Sequence, residues 1–198
     1  MIELEKTRLR EVFKKQRLAL TPKEVAEKSA EVCKNFIENL LPKLCSKNSN
    51  KTFSLYLPSS GEVSTEALSQ FFQKNSLAFS YPKVIQKNQP LEFILCQTNQ
   101  SFGANKFYPK ILEPITGEKV APSFLILPLV AFDLNLSRLG MGGGFFDRTI
   151  SQLKVENPQL VTIGLGYDFQ RVATILPTEE TDQRLDFVVT EKNIFSRS

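Results

Sequence analysis

The spacing of apolar positions divides the chain into alternating helical and extended stretches. Over residues 2–20, Leu9, Val12, Phe13 and Gln16 fall on one side of a helix and Arg8, Lys14, Lys15 and Arg17 largely elsewhere, which predicts an amphipathic helix. Thr21-Pro22-Lys23-Glu24 reads as a second start, with Thr as N-cap, Pro at the first helical position and Glu two residues on. Its core stripe is Val25, Val32, Phe36 and Leu40, ending before Pro42. Polar residues 46–51 then read as a loop.

Residues 52–57 alternate and are β-rich, so they predict a strand that Pro58-Ser59-Ser60-Gly61 breaks. Glu62 follows in a strand-to-helix connection, with Ser64 or Thr65 capping a helix through Leu68, Phe71 and Phe72. Residues 77–81 predict a second strand stopped by Pro82, and residues 91–96 a third. Residues 97–122 carry Pro109, Pro114, Gly117 and Pro122, and irregular structure is expected there. Phe102, Phe107 and Tyr108 in that stretch either line a slot for a flat ring or fold onto the core. Residues 160–167 read as a buried central strand and residues 185–189 as the last strand. Strands alternating with helices imply an α/β fold with a largely parallel sheet covered on both faces. With 198 residues, 41% of them hydrophobic, and no internal repeat, one domain over residues 1–198 is expected.

The most informative stretch is Arg138-Leu139-Gly140-Met141-Gly142-Gly143-Gly144-Phe145-Phe146-Asp147-Arg148, between the apolar run 124–132 and a helix-compatible segment from Thr149. Four glycines in five positions remove the Cβ atoms that keep a ligand off the backbone and permit positive φ. Their N–H groups can then converge on an anion at a helix N-terminus. The arginines add charge, and Asp147 offers a hard oxygen of the kind Mg²⁺ prefers. A P-loop is excluded, because Phe145-Phe146 stand where Lys and Ser or Thr belong. A dinucleotide fingerprint needs a glycine in place of Phe145. Taken alone, the loop could equally be a tight turn where a helix packs on a sheet.

Composition narrows the chemistry. There is no His, so Ser-His-Asp and Cys-His catalysis are excluded. Three scattered cysteines make zinc improbable and, being odd in number, fit reduced thiols in a cytoplasmic protein. The net charge of +4 suits an anionic ligand but falls short of a nucleic-acid-binding surface. No apolar run approaches the ~20 residues that span a bilayer, and the N-terminus lacks the apolar core of a signal peptide. Oligomeric state is open, with a monomer as the default.

The run Pro128-x-x-Ala131-Phe132-Asp133, followed by the glycine stretch through Asp147, closely resembles the signature of the 5-formyltetrahydrofolate cyclo-ligase (5,10-methenyltetrahydrofolate synthetase) family. Lys6-Thr7-Arg8-Leu9-Arg10 is similar to that family's Lys-x-x-Leu-Arg element, and residues 56–63 to a second element ending in Glu62. Leu112-Glu113-Pro114, Gln170, Asp182, Leu185-Asp186 and Thr190-Glu191 match further points in order. The resemblance implies a three-layer α/β/α sandwich like that of sugar-phosphate isomerases and CoA transferases. It also implies cyclisation of 5-formyltetrahydrofolate to 5,10-methenyltetrahydrofolate with ATP and Mg²⁺, through phosphorylation of the formyl oxygen. On that basis ATP goes to Lys6, Arg10, Arg138, Leu139, Gly140, Met141, Gly142, Gly143, Gly144, Phe145 and Phe146. Leu57 and Glu62 go to the folate, which also meets the loop from Met141 through Phe145, and Mg²⁺ goes to Asp147 and Asp182. Arg138 and Asp147 are the catalytic candidates. Phe145 and Phe146 stand where the family often has tyrosines, and Thr181 where many members have a His. A nucleotide- or folate-binding homologue without turnover is the alternative.

Overall fold

In the strand Phe124–Pro128, Phe124 and Ile126 enter one hydrophobic core, Leu125 and Leu127 another, so the alternation places apolar side chains on both faces of the sheet. The computed structural model describes residues 1–44 and 51–197. The central strand β6 (Phe124–Pro128) lies between β1 (Phe53–Ser54) and β9 (Val161–Leu165), with β2 (Phe79–Lys83) and β10 (Phe187–Val189) outside them, all five parallel. The edge strands β3 (Glu92–Leu95) and β11 (Ile194–Ser196) run antiparallel.

Helix α2 (Pro22–Asn35), a π-helical turn (Phe36–Leu40) and α4 (Glu66–Lys74) cover one face through Val32, Phe36, Leu40, Leu68 and Phe72. Helix α5 (Phe145–Glu156) covers the other through Ile150 and Leu153. The result is the expected α/β arrangement in three layers. Helix α1 (Ile2–Leu18) instead lies against the hairpin β7 (Ala131–Phe132) and β8 (Arg138–Leu139), with Phe13 packed on Val130, Ala131 and Leu139. Two buried polar side chains fix that hairpin. Asp133 accepts N–H bonds from Asn135, Ser137 and Leu176. Gln170 donates to the carbonyls of Leu129 and Val130 and accepts from Tyr167.

Several local expectations are corrected. The buried residues of α1 are Lys6, Phe13 and Arg17, whereas Val12 is 45% exposed and Gln16 is exposed, so the inward stripe is turned and carries charge. Thr21 and Glu24 form the predicted capping box, but Pro42 does not end the helical run. Leu41 N–H donates five residues back to Phe36, and the chain continues as α3 (Leu41–Leu44); the wider π turn relieves the clash of the proline ring with the preceding turn. Pro82 lies inside β2 rather than after it. Leu55 N–H donates to the Ser80 carbonyl, and Pro82 stands where the parallel ladder next needs a donor, so it ends pairing with β1 while pairing with β3 continues. Residues 97–122 are not all irregular: β4 (Phe102–Ala104) pairs with β5 (Leu112–Pro114). β11 follows what read as the last strand. The loop expected at residues 46–51 lies, apart from Lys51, outside the described residues.

Candidate active site

A cleft of about 1040 Å³ opens beyond the C-terminal ends of β1, β2 and β6, where open parallel sheets hold their ligands. Every residue assigned a site role from the sequence lines it: Lys6, Arg10, Leu57, Glu62, Asp182, and all of residues 138–147.

The glycine loop runs from β8 into α5. Gly142 has φ +98° and Gly144, the N-cap of α5, has φ +63°, conformations that favour glycine. Gly143 lies outside that region, and a Cβ there would stand 3.1 Å from the Phe145 ring. The N–H groups of residues 141–144 meet no protein acceptor among the described residues, and Met141, Gly142 and Gly143 are exposed. The first amides of α5 have no helical carbonyl before them. The loop therefore presents bare donors to the cleft. Tyr108 meets Phe145 edge to face at 5.6 Å, so one of the three aromatics in the 97–122 segment reaches the loop. Phe102 packs on Tyr81 instead. Phe146 leans on the core beside Ile150, with the Arg138 guanidinium over its ring at 5.9 Å.

Four cations surround this loop, each already held. Lys6 Nζ donates to Glu179 (2.8 Å) and Asp182 (2.6 Å) and is 4% exposed. Burial pulls its pKa down, and the two carboxylates more than offset that, leaving it above its ordinary value. Arg10 donates to the Gly140 carbonyl (3.1 Å) and to Glu3 (2.7 Å), with its guanidinium against Gly142. Arg138 donates to Asp147 Oδ1 at 3.0 Å, and Gln183 N–H donates to the same oxygen. Burial pushes Arg138 below its ordinary pKa against the pull of Asp147 and Asp182, and its Nε has no partner among the described residues. Arg148 donates to the Gly143 carbonyl and lies over the Phe145 ring.

The opposite wall carries Glu62, 7% exposed. Its Oε2 accepts from Ser59 N–H (2.9 Å) and Ser59 Oγ (3.3 Å), and its Oε1 faces Arg17 at 3.7 Å. Burial pushes its pKa up, with Ser59 and Arg17 opposing. Glu62 does not cap α4; there Ser64 Oγ accepts from Glu66 N–H. Leu57 lies beside it on the same wall.

Arg17, which the sequence reading put on the polar side of α1, is instead buried against Glu62. The signal was present: Lys6, Arg10, Phe13 and Arg17 are spaced four, three and four apart, one helical stripe. Glu179 holds Lys6 as well, a pairing across 173 residues that no local pattern reveals.

Residues 2–191 match the model of the 5-formyltetrahydrofolate cyclo-ligase family. A 5-formyltetrahydrofolate cyclo-ligase of Mycoplasma pneumoniae is 30% identical over 190 residues, covering 96% of this chain and 100% of the relative. One of Haemophilus influenzae is 36% identical over 139 residues, 67% of this chain and 71% of the relative. The NMR structure of Aquifex aeolicus 5,10-methenyltetrahydrofolate synthetase superimposes with a TM-score of 0.79 at 32% identity, over 98% of this chain and 95% of that one. A 5,10-methenyltetrahydrofolate synthetase from Mycoplasma pneumoniae gives 0.72 at 26%, over 94% and 99%. With a glycine loop of bare amides facing a buried carboxylate across one cleft, and with these matches along nearly its whole length, the chain belongs to the 5-formyltetrahydrofolate cyclo-ligase family.

Proposed function

We propose that this chain uses MgATP to cyclise 5-formyltetrahydrofolate to 5,10-methenyltetrahydrofolate, releasing ADP and phosphate. The observation that carries the reading is the convergence, in one cleft, of the unpartnered loop amides, the buried cations Lys6 and Arg138, and Glu62 on the facing wall. The formyl oxygen attacks the γ-phosphorus and ADP leaves. The neighbouring amine nitrogen then attacks the activated formyl carbon and gives up its proton, and the carbon–oxygen bond breaks to release phosphate, which carries that proton away. Such phosphoryl transfer depends on positioning and charge stabilisation more than on a protein nucleophile, which suits a chain without His.

In this reading Lys6, Arg10, Arg138 and the loop from Leu139 through Phe146 hold the ATP phosphates, and Phe145, packed between Tyr108 and the Arg148 guanidinium, stands where nucleotide and folate meet. Leu57 and Glu62 orient the folate. Glu62 has one oxygen tied to Ser59 and the other turned toward Arg17, so it can accept an N–H from the pteridine ring.

Asp147 and Asp182 fit Mg²⁺ as a companion of the nucleotide. Each engages its protein donors through one oxygen, Asp147 Oδ1 and Asp182 Oδ2, which leaves a second for a metal. Among the described residues no group of three or more carboxylates, His or Cys forms a ready metal cage, and Mg²⁺ commonly takes one or two carboxylates and completes its shell with phosphates and water. When bound, the ion would neutralise charge on the transferring phosphoryl group. No helix among the described residues is long and apolar enough to cross a membrane, and we place the protein in the cytoplasm, where free thiols such as Cys33 and Cys96 persist.

The test mixes protein, 5-formyltetrahydrofolate, ATP and magnesium and follows the absorbance of the methenyl product. Product formation that stops when any component is omitted supports the reading. Folate and ATP binding without turnover would leave a binding homologue in its place.

A further inference from the structure

Arg17 is 1% exposed, among the largest fully buried side chains of the described residues, and it projects from the last turn of α1 to lie behind the cleft lining, against Glu62 and Met141. Its guanidinium reaches segments far apart in sequence. Nε donates to the Ser60 carbonyl at 2.9 Å, Nη1 to the Leu129 carbonyl at 3.4 Å, and Nη1 stands 3.7 Å from Glu62 Oε1. Nη2 is 4.0 Å from the sulfur of Met141 in the glycine loop. The turn that carries Glu62 is built against this side chain: Gly61 has φ +73°, and a Cβ there would meet the Arg17 carbonyl at 3.2 Å and its Cγ at 3.4 Å.

Burying an arginine for stability alone is a poor bargain, because desolvation offsets much of what an ion pair gains. Here the cation stands opposite the one carboxylate on the folate wall. Glu62 has its Oε2 anchored by Ser59, and without Arg17 its Oε1 would be a buried anionic oxygen with no compensating charge. The other titratable group near it, Tyr56, donates its hydroxyl to the Val63 carbonyl and supplies no positive charge.

We infer that Arg17 is a positioning residue for folate recognition, holding Glu62 ionised and its carboxylate fixed in the cleft wall so that it can accept a substrate N–H. The inference rests on the proposal that Glu62 binds the folate, and it makes Arg17 act through Glu62 without touching substrate. Two consequences follow. Removing the Arg17 charge should mimic neutralising Glu62. Once Glu62 is neutral, removing Arg17 should cost folate binding little more.

The experiment is a double-mutant cycle on the full chain, with dissociation constants for 5-formyltetrahydrofolate and thermal midpoints measured for wild type, Glu62→Gln, Arg17→Met and Arg17→Met/Glu62→Gln. A hydrogen bond to a charged group is worth ~1.5–3 kcal/mol, or roughly ten- to hundredfold in affinity. Glu62→Gln and Arg17→Met should therefore each weaken folate binding by about tenfold or more, and the double variant should be within ~3-fold of Glu62→Gln. Arg17→Lys, which keeps the charge at a nearby position, should recover most of the affinity. Losses that multiply in the double variant, or an Arg17→Met protein that binds folate normally, overturn the inference. An unchanged affinity in Glu62→Gln overturns the underlying assignment of Glu62 instead, so the two failures are distinct. If Arg17→Met does not fold, the cycle is run with Arg17→Lys and Arg17→Gln, and the same multiplicative outcome counts against the inference.

Discussion

Asp147→Asn separates the observed role of Asp147, counter-ion to Arg138, from its proposed role as a ligand to Mg²⁺. The change is nearly isosteric, and the amide oxygen can still accept from Arg138 Nη2 and Gln183 N–H, both 3.0 Å from Oδ1. What disappears is the charge. Arg138 has a side chain only 2% exposed, and Asp147 is its one ion-pair partner among the described residues. Removing a partner from a fully buried pair costs ~3–5 kcal/mol. Here the loss is smaller, because Asp147 keeps 21% of its side chain exposed and Asp182 also supports the cation. A stability loss of ~1–2 kcal/mol follows, a fall in thermal midpoint of about 2–8 °C for a chain of this size. Turnover should fall much further: groups merely supporting a metal ligand are worth ~10–100-fold, so a ligand to Mg²⁺ should cost ~100-fold or more. The assay follows methenyl product across a magnesium titration, beside melting curves. Activity that partly returns at high magnesium marks a lost ligand. Wild-type activity at an unchanged magnesium requirement, with only the modest fall in midpoint, would refute the metal role and leave Asp147 as the counter-ion of Arg138.

Three further outcomes are expected. Gly142→Ala forces a side chain to φ +98° under the Arg10 guanidinium and should weaken ATP binding severalfold, at ~1–2 kcal/mol of stability; Gly143→Ala, outside that region and meeting only the Phe145 ring at 3.1 Å, should cost less of both, and equal effects of the two variants in titration and melting would count against a ligand cradle. Gln170→Leu strips the side-chain partners of Tyr167 N–H and the Val130 carbonyl, while the Leu129 carbonyl keeps Arg17, and should cost ~2 kcal/mol or more, about 4–8 °C in midpoint by thermal unfolding; a smaller fall would mean that the turn at Leu129 and Val130 relaxes. Burial raises Glu62 above the ordinary 4.5, with Arg17 opposing, so folate binding should weaken as pH falls through a window above 4.5, and Glu62→Gln should abolish that dependence. Over the same window the folded state takes up the proton first, so this group adds stability as pH falls and removes it as pH rises.

The sheet was legible because its strands are short apolar runs between turn residues, and the loop because four glycines in five positions have few other uses. What misled the reading was burial that local pattern does not encode. Arg17 and Lys6 look like a solvated face of α1 until Glu62, Glu179 and Asp182 arrive from elsewhere in the chain to hold them. Pro42 and Pro82 read as stops because proline ends most helices and central strands. Each is accommodated by one local device, a π turn before Pro42 and a ladder that ends at Pro82. β4 and β5 are three residues each and exist only by pairing with one another, so neither carried a signal of its own.

The charges of the cleft bear on the proposed pairing of nucleotide and metal. The lining carries five cationic side chains (Lys6, Arg10, Lys110, Arg138, Arg148) against six anionic ones (Glu3, Glu62, Asp147, Glu179, Glu180, Asp182). A triphosphate entering alone would meet amides and cations but also a slight excess of carboxylates, and Lys6 would have to exchange Glu179 for phosphate oxygen. On the proposed reading, a divalent ion arriving with the phosphates would reverse that balance and would give Asp147 and Asp182 a partner. Glu179 is the carboxylate whose removal should show this, since its side chain is 51% exposed and Lys6 keeps Asp182 when it goes. An ion pair with one exposed member is worth ~0.2–1 kcal/mol. Glu179→Gln should therefore tighten binding of metal-free ATP by roughly two- to fivefold, with less gain for MgATP, so that the advantage conferred by magnesium shrinks. Titration of ATP with and without magnesium measures both. Weaker metal-free binding in the variant would mean that Glu179 orients Lys6 for phosphate rather than competing with it.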